Sequence, residues 1–119
     1  MEKEFVPYTE ALELKQLGFD EPCFGYYHED KSLTYTNMVS QNTNSFWKIN
    51  NKIVSAPLYQ QAFRWFREKY DLNYVIIKAE SWFYTINGCN TQEGFNTYKE
   101  AEIACLTKLI EIVQGGSHE

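Results

Sequence analysis

Catalysis in a small protein needs nucleophiles, bases or metal ligands gathered closely, and this sequence offers few of them. Among its 119 residues there are only two histidines, His28 and His118. His28 stands beside Glu29 and Asp30. A metal site needs three or four ligands converging in space, and this run lacks ligand spacing and reads as a polar turn. A nucleophilic pair would need a base beside a thiol, and the available pair is Cys23 with His28. On one strand their odd separation sends the two side chains to opposite faces, unless a bulge at Gly25 brings them together. Glu10 with Glu13, and Glu100 with Glu102, are spaced like the outer surface of helices. Gly88 and Gly94 flank Cys89-Asn90-Thr91-Gln92-Glu93, which matches no phosphate-binding pattern. No catalytic residue, cofactor or metal ligand is assigned.

Aromatic side chains are the unusual resource. Nine Tyr, eight Phe and three Trp make up 17% of the chain. Most are expected to fill a stiff core, where ring pairs add about 0.5–1.5 kcal/mol beyond burial. A surplus would form a binding surface, for which Trp47, Arg64, Arg67, Trp82 and Tyr84 are the candidates. The rival arrangement is a small-ligand or enzyme pocket between sheet and helices, apolar with a few converging polar groups. Tyr26, Tyr27, Trp82 and Tyr84 would line it, and Arg64 or Arg67 would supply charge.

The formal net charge is −5, with 11 basic against 16 acidic residues. Nucleic-acid binding draws on Lys and Arg displacing phosphate counterions, so a nucleic-acid partner is not expected. An acidic surface suits a basic protein partner instead. The three cysteines, Cys23, Cys89 and Cys105, are odd in number and widely spaced, which argues against a disulfide framework. Cys105 falls in an apolar helical pattern and is expected to be buried. The opening Met1-Glu2-Lys3-Glu4 has no secretory character. No apolar run is long enough for a membrane span, and a reducing cytoplasm is the expected compartment.

The elements that must position these residues follow from periodicity and punctuation. Pro7 to Leu17 is expected to be helical, with Ala11, Leu14 and Leu17 as its apolar stripe. Gly18 should end it, with Phe19 folding back onto Leu14. Cys23–His28 and Leu33–Thr36 read as a hairpin across Glu29-Asp30-Lys31. Residues 40–45 form a polar loop, Phe46–Ile49 a third short strand, and Asn50-Asn51 a turn towards Lys52-Ile53-Val54. Ser55 caps a central helix with Pro57 in its first turn. Tyr59, Ala62, Phe63, Phe66 and Tyr70 share one face of it, with Leu58 and Trp65 beside them. Tyr74–Ile77 and Trp82–Ile86 make a second hairpin. Asn87-Gly88 is a turn, and the stretch to Phe95 reads as a loop. Thr97 and Glu100 form a capping box for the last helix, whose apolar row is Tyr98, Ala101, Cys105, Leu109 and Ile112. The expected fold is a single α+β domain over 1–114, with a disordered tail at 115–119. It is a two-layer sandwich with helices on one face of an antiparallel sheet of about four strands.

Three resemblances run alongside these expectations. The runs Glu4-Phe5-Val6-Pro7-Tyr8, Leu17–Cys23, Ala56–Arg67 and Tyr98–Glu102 resemble a group of small uncharacterised bacterial and bacteriophage proteins. That likeness covers nearly the whole chain and implies a phage or mobile-element origin, but no activity. Tyr74 to Val113 is similar to the N-terminal module of HicB-type antitoxins, a partial RNase H-like fold, and this implies a toxin-neutralising role. Asn87 stands where that family has proline before Gly88-Cys89, and no DNA-binding domain follows. From Ser55 onward the layout also resembles a double-stranded RNA-binding domain. That family needs a basic cluster opening its last helix, whereas here Lys99 is flanked by Glu100 and Glu102. Taken together, the sequence is expected to encode a non-enzymatic protein-interaction module acting on a host protein.

Overall fold

The computed structural model describes residues 2–36, 43–45 and 52–115. The strand expected at Phe46–Ile49, the turn at Asn50-Asn51, Trp47 and the end of the tail lie outside the described residues. The chain is α+β. After a 3-10 turn at Glu2–Glu4 come α1 (Tyr8–Gln16), β1 (Gly25–Tyr27), β2 (Leu33–Tyr35), β3 (Val54–Ala56) and α2 (Tyr59–Tyr70). They are followed by β4 (Tyr74–Lys78), β5 (Trp82–Ile86), β6 (Cys89–Phe95) and α3 (Tyr98–Gly115). The expected sheet of four strands is corrected to two sheets of three, β2-β1-β3 and β4-β5-β6. Each gains a strand that local signals hid. The residues form two compact units, 1–62 and 63–119, divided within α2.

In the first unit α1 stops where its chemistry requires. Gly18 takes φ +100°, the left-handed region that favours glycine. The Phe19 N–H then donates to the Leu14 carbonyl at 2.9 Å and the Gly18 N–H to that of Lys15 at 3.0 Å, the paired bonds of a Schellman ending. Leu14 and Phe19 are both buried. Helix α1 lies against β3. Ser55 does not cap a helix: it sits in β3 opposite Tyr26, and its N–H donates to Asn44 Oδ1 at 2.9 Å. Helix α2 begins only at Tyr59. Asn44 Nδ2 also donates to the Phe19 carbonyl at 2.7 Å, so one side chain joins the α1 ending to β3. Gly25 occupies the middle strand, where an added Cβ would lie 2.8 Å from the Thr34 carbonyl oxygen and 2.9 Å from Tyr35 Cβ.

The second unit is a meander with a helix across it. On α2, Phe63, Trp65 and Phe66 are buried while Arg64, Arg67 and Glu68 are exposed, as the helical period implies. The Phe63 ring stacks on Tyr74 of β4 with centroids 4.1 Å apart. Asn87 and Gly88 take φ 53° and 73°, the two left-handed positions of a type I′ hairpin turn. The segment beyond them, expected to be a loop, is strand β6, whose Cys89, Gln92 and Phe95 pair with Ile86, Tyr84 and Trp82. In α3, Thr97 Oγ1 accepts the Glu100 N–H at 3.1 Å. The Glu100 carboxylate reaches back to the Asn96 N–H at 2.9 Å, one residue earlier than a capping box has it. Ala101, Cys105, Leu106, Leu109 and Ile110 are buried along α3, which lies over β4, β5 and β6.

Candidate functional site

Strand alternation divides the second sheet into two unlike faces. Tyr84 and Ile86 turn to the side of α3, where Tyr84 shares a groove with Ile103, Ala104 and Thr107 and Ile86 shares a hollow with Lys108 and Ile112. Through the register Tyr74↔Ile86, Ile76↔Tyr84 and Lys78↔Trp82, β4 contributes Tyr74, Ile76 and Lys78 to that same face. Val75, Ile77, Phe83 and Thr85 therefore lie on the face that α3 leaves uncovered. There Val75 is 45% and Ile77 46% exposed, and Phe83 is half-buried beside them. Towards β6 the same face turns polar. Thr91 Oγ1 donates to Thr85 Oγ1 at 3.0 Å, and Thr91 and Glu93 line a shallow depression next to Phe83. A one-sided antiparallel sheet usually shows polar residues on its wet face. The apolar half along β4 departs from that pattern.

On the covered face the candidate aromatics take separate roles. Tyr84 is buried, and its hydroxyl donates to Gln92 Oε1 at 3.1 Å. Trp82 is half-buried and meets Tyr98 edge-to-face at 5.5 Å. Tyr98, expected in the buried row of α3, is 42% exposed, since it sits in the opening turn. Arg64 and Arg67 are exposed on α2. Tyr26 and Tyr27 belong to the first unit. There Tyr27 is buried with its hydroxyl donating to the Val6 carbonyl at 2.7 Å. Tyr26 tilts over His28 at 5.1 Å, whose Nε2 shares a 2.7 Å hydrogen bond with Thr34 Oγ1.

Glu102 corrects an expectation. The i, i+2 partner of Glu100 was expected on the helix surface, yet Glu102 is only 8% exposed. Residues two apart face different directions on a helix, so only Glu100 is left outside. The Glu102 carboxylate pairs with Lys99 Nζ at 3.1 Å, so the one cation in the opening turn of α3 is neutralised within the helix. Burial, with Glu102 adding to it, raises the Tyr98 hydroxyl pKa. The same causes push the Cys105 thiol up to about 12. Cys23 is likewise pushed up to about 12, by burial first and then by Glu21. Cys89 alone of the three thiols is exposed.

No family model matches the chain, and no curated protein and no solved structure matches it either. Among the described residues no group of three His, Cys, Asp or Glu is placed to hold a metal ion, and no helix is long and apolar enough to cross a membrane. One hollow of about 580 Å³ opens between the β5–β6 turn and α3. Asp71, Asn87, Cys89, Asn90 and Lys108 are among its lining residues. Asp71, Asn87 and Asn90 all have positive φ, a backbone state that non-glycine residues adopt at some cost. Asn87 is fixed there: its Oδ1 accepts the Asn73 N–H at 2.8 Å and its Nδ2 donates to the Asp71 carbonyl at 3.3 Å.

Val75 and Ile77 were legible only as members of a strand. Which strand face stays wet depends on where α3 docks, and no local signal carries that.

Proposed function

We propose that the chain is a non-enzymatic protein-binding module, of the kind a phage or mobile element directs at a host protein. It docks through the uncovered face of β4-β5-β6. The observation behind this is the exposure of Val75 and Ile77, 45% and 46%, beside half-buried Phe83 on one face. Fully burying a Val or Ile side chain is worth about 1.5–3 kcal/mol, and with 45% and 46% of Val75 and Ile77 exposed roughly half of that gain at each position is open to a partner covering this strip. The strand-strand-strand-helix order of the second unit also suits a toxin-neutralising module, itself a protein-binding role. Immobilised protein is expected to retain a defined partner from host lysate, and Val75→Asp to lose it while its circular dichroism spectrum remains that of the folded chain. Equal retention by both proteins would overturn the assignment of the face.

The rival is a small-ligand site in the hollow around Asn87, favoured by the three left-handed residues that line it. Thermal-shift screening against nucleotides and metabolites separates the two. A ligand held there would stabilise the fold by about 2.7 kcal/mol at roughly 100 times its Kd.

A further inference from the structure

The two edges of the second sheet are built differently. Edge strands are normally blunted by bulges, charges or irregular backbone that resist the addition of another strand. Strand β6 has these devices. Its register with β5 shifts twice, Asn90 and Gly94 take φ 39° and 94°, and it displays Asn90, Thr91, Gln92 and Glu93. Strand β4 has none through Tyr74-Val75-Ile76-Ile77. It pairs with β5 residue for residue, contains no proline, and carries a charge only at its last position, Lys78. Among the described residues β5 is the one strand paired with it.

The outward backbone of β4 follows from its flanks. Asn73 accepts the Asn87 N–H at 2.8 Å, and the Ala79 N–H donates to Ser81 at 2.9 Å, so both turn to the β5 side. Backbone groups alternate sides along an antiparallel strand. Val75 and Ile77 therefore bond to β5, and Tyr74, Ile76 and Lys78 direct their N–H and C=O groups away from the sheet.

We infer that β4 pairs antiparallel, about a two-fold axis at Ile76, with β4 of a second copy of this chain. In this register Tyr74 faces Lys78 of the second copy and Ile76 faces its own counterpart, so outward groups meet only outward groups. Val75 then lies opposite Ile77 of the second copy in the close, non-hydrogen-bonded pairing, where side chains touch most nearly. Such an interface is isologous and closes at two subunits. The apolar half of the uncovered face, which ends abruptly at β4, continues into the same strip of the second copy. The inference deepens the proposed function and rests on the same face: the docking surface is completed by pairing.

The test uses the full chain under reducing conditions, so that exposed Cys89 forms no cross-link, and sedimentation velocity across a concentration series. Wild type is expected to dimerise. Val75→Asp and Ile77→Lys should each weaken the dimer at least tenfold, since the dimer then buries two charges, one from each copy, each against an apolar side chain of the other. An equimolar mixture of the two variants should regain it, because the introduced carboxylate then faces the introduced ammonium while the other pair stays Ile against Val. A monomeric wild type, a dimer indifferent to either substitution, or a mixture that stays monomeric would each overturn the inference. If the wild type is monomeric yet still retains a host protein that Val75→Asp loses, pairing is wrong and the protein-binding function stands.

Discussion

The two sheets are made of the same parts, three antiparallel strands beside a helix, but they are wired differently. In the second, spatial order follows chain order, β4-β5-β6. Its neighbours close through short turns, which cost little loop entropy. In the first, the earliest strand is central, β2-β1-β3, and β3 must return across residues 36–53 to reach it. The ties reflect this. The first unit relies on side chains reaching distant backbone: Asn44 to Phe19 and Ser55, Lys15 to Ile53 at 3.0 Å, and Gln61 to Pro22 at 2.7 Å. In the second unit the comparable bonds span less chain: Asn87 reaches the Asp71 carbonyl and the Asn73 N–H, 16 and 14 residues away, and Ser81 Oγ the Gly94 N–H, 13 away, against 38 and 39 for Lys15–Ile53 and Gln61–Pro22. The polar clasps of the first unit therefore reach across more of the chain than those of the meander.

The largest effect bearing on this contrast should be common to both units. Each buries one thiol whose pKa is held near 12 against an ordinary value of 9.0, Cys23 in the first and Cys105 in the second. Folded thiols stay protonated while unfolded ones ionise, so the unfolded state binds fewer protons above pH 9. Stability should be unaffected by these groups below pH 9 and fall as pH rises from 9 towards 12. Urea denaturation at stepped pH reads this, and Cys105→Ala should flatten the slope. An unchanged slope in both Cys105→Ala and Cys23→Ala would show that neither thiol is sealed.

The next effect separates the units. Asn44→Ala removes two hydrogen bonds that join α1 to β3, and it should cost about 2 kcal/mol by chemical denaturation. Thr97→Ala removes one local cap and should cost about 1 kcal/mol. If Asn44→Ala costs no more than Thr97→Ala, the long-range clasps are dispensable and the contrast fails.

The same contrast explains what was legible in the sequence. The end of α1 at Gly18, the turn at Asn87-Gly88, the hairpin of β4 with β5 and the cap of α3 each depend on residues within a few positions of one another. Strand β3 was hidden because Ser55 before Pro57 imitates a helix start. What makes it a strand is Tyr26 across the sheet and Asn44 behind it. Strand β6 was hidden because Cys-Asn-Thr-Gln-Glu-Gly lacks apolar alternation, and its identity comes from pairing with β5. Among the site candidates, Tyr84 belongs to the core through its bond to Gln92, and Arg64 and Arg67 stand exposed. The uncovered strip of Val75 and Ile77 emerged only once α3 had a place.

Gly25 carries one last consequence. Its requirement is spatial, since the nearest atoms to an added Cβ are the Thr34 carbonyl oxygen and Tyr35 Cβ of the adjoining strand, followed by Phe5 Cε1 at 3.3 Å. Backbone and a Cβ have no freedom to step aside, so even one methyl group must wedge β1 from β2. Among homologues this position should be closed to every replacement regardless of polarity, which would make it a fixed reference point for aligning more distant relatives.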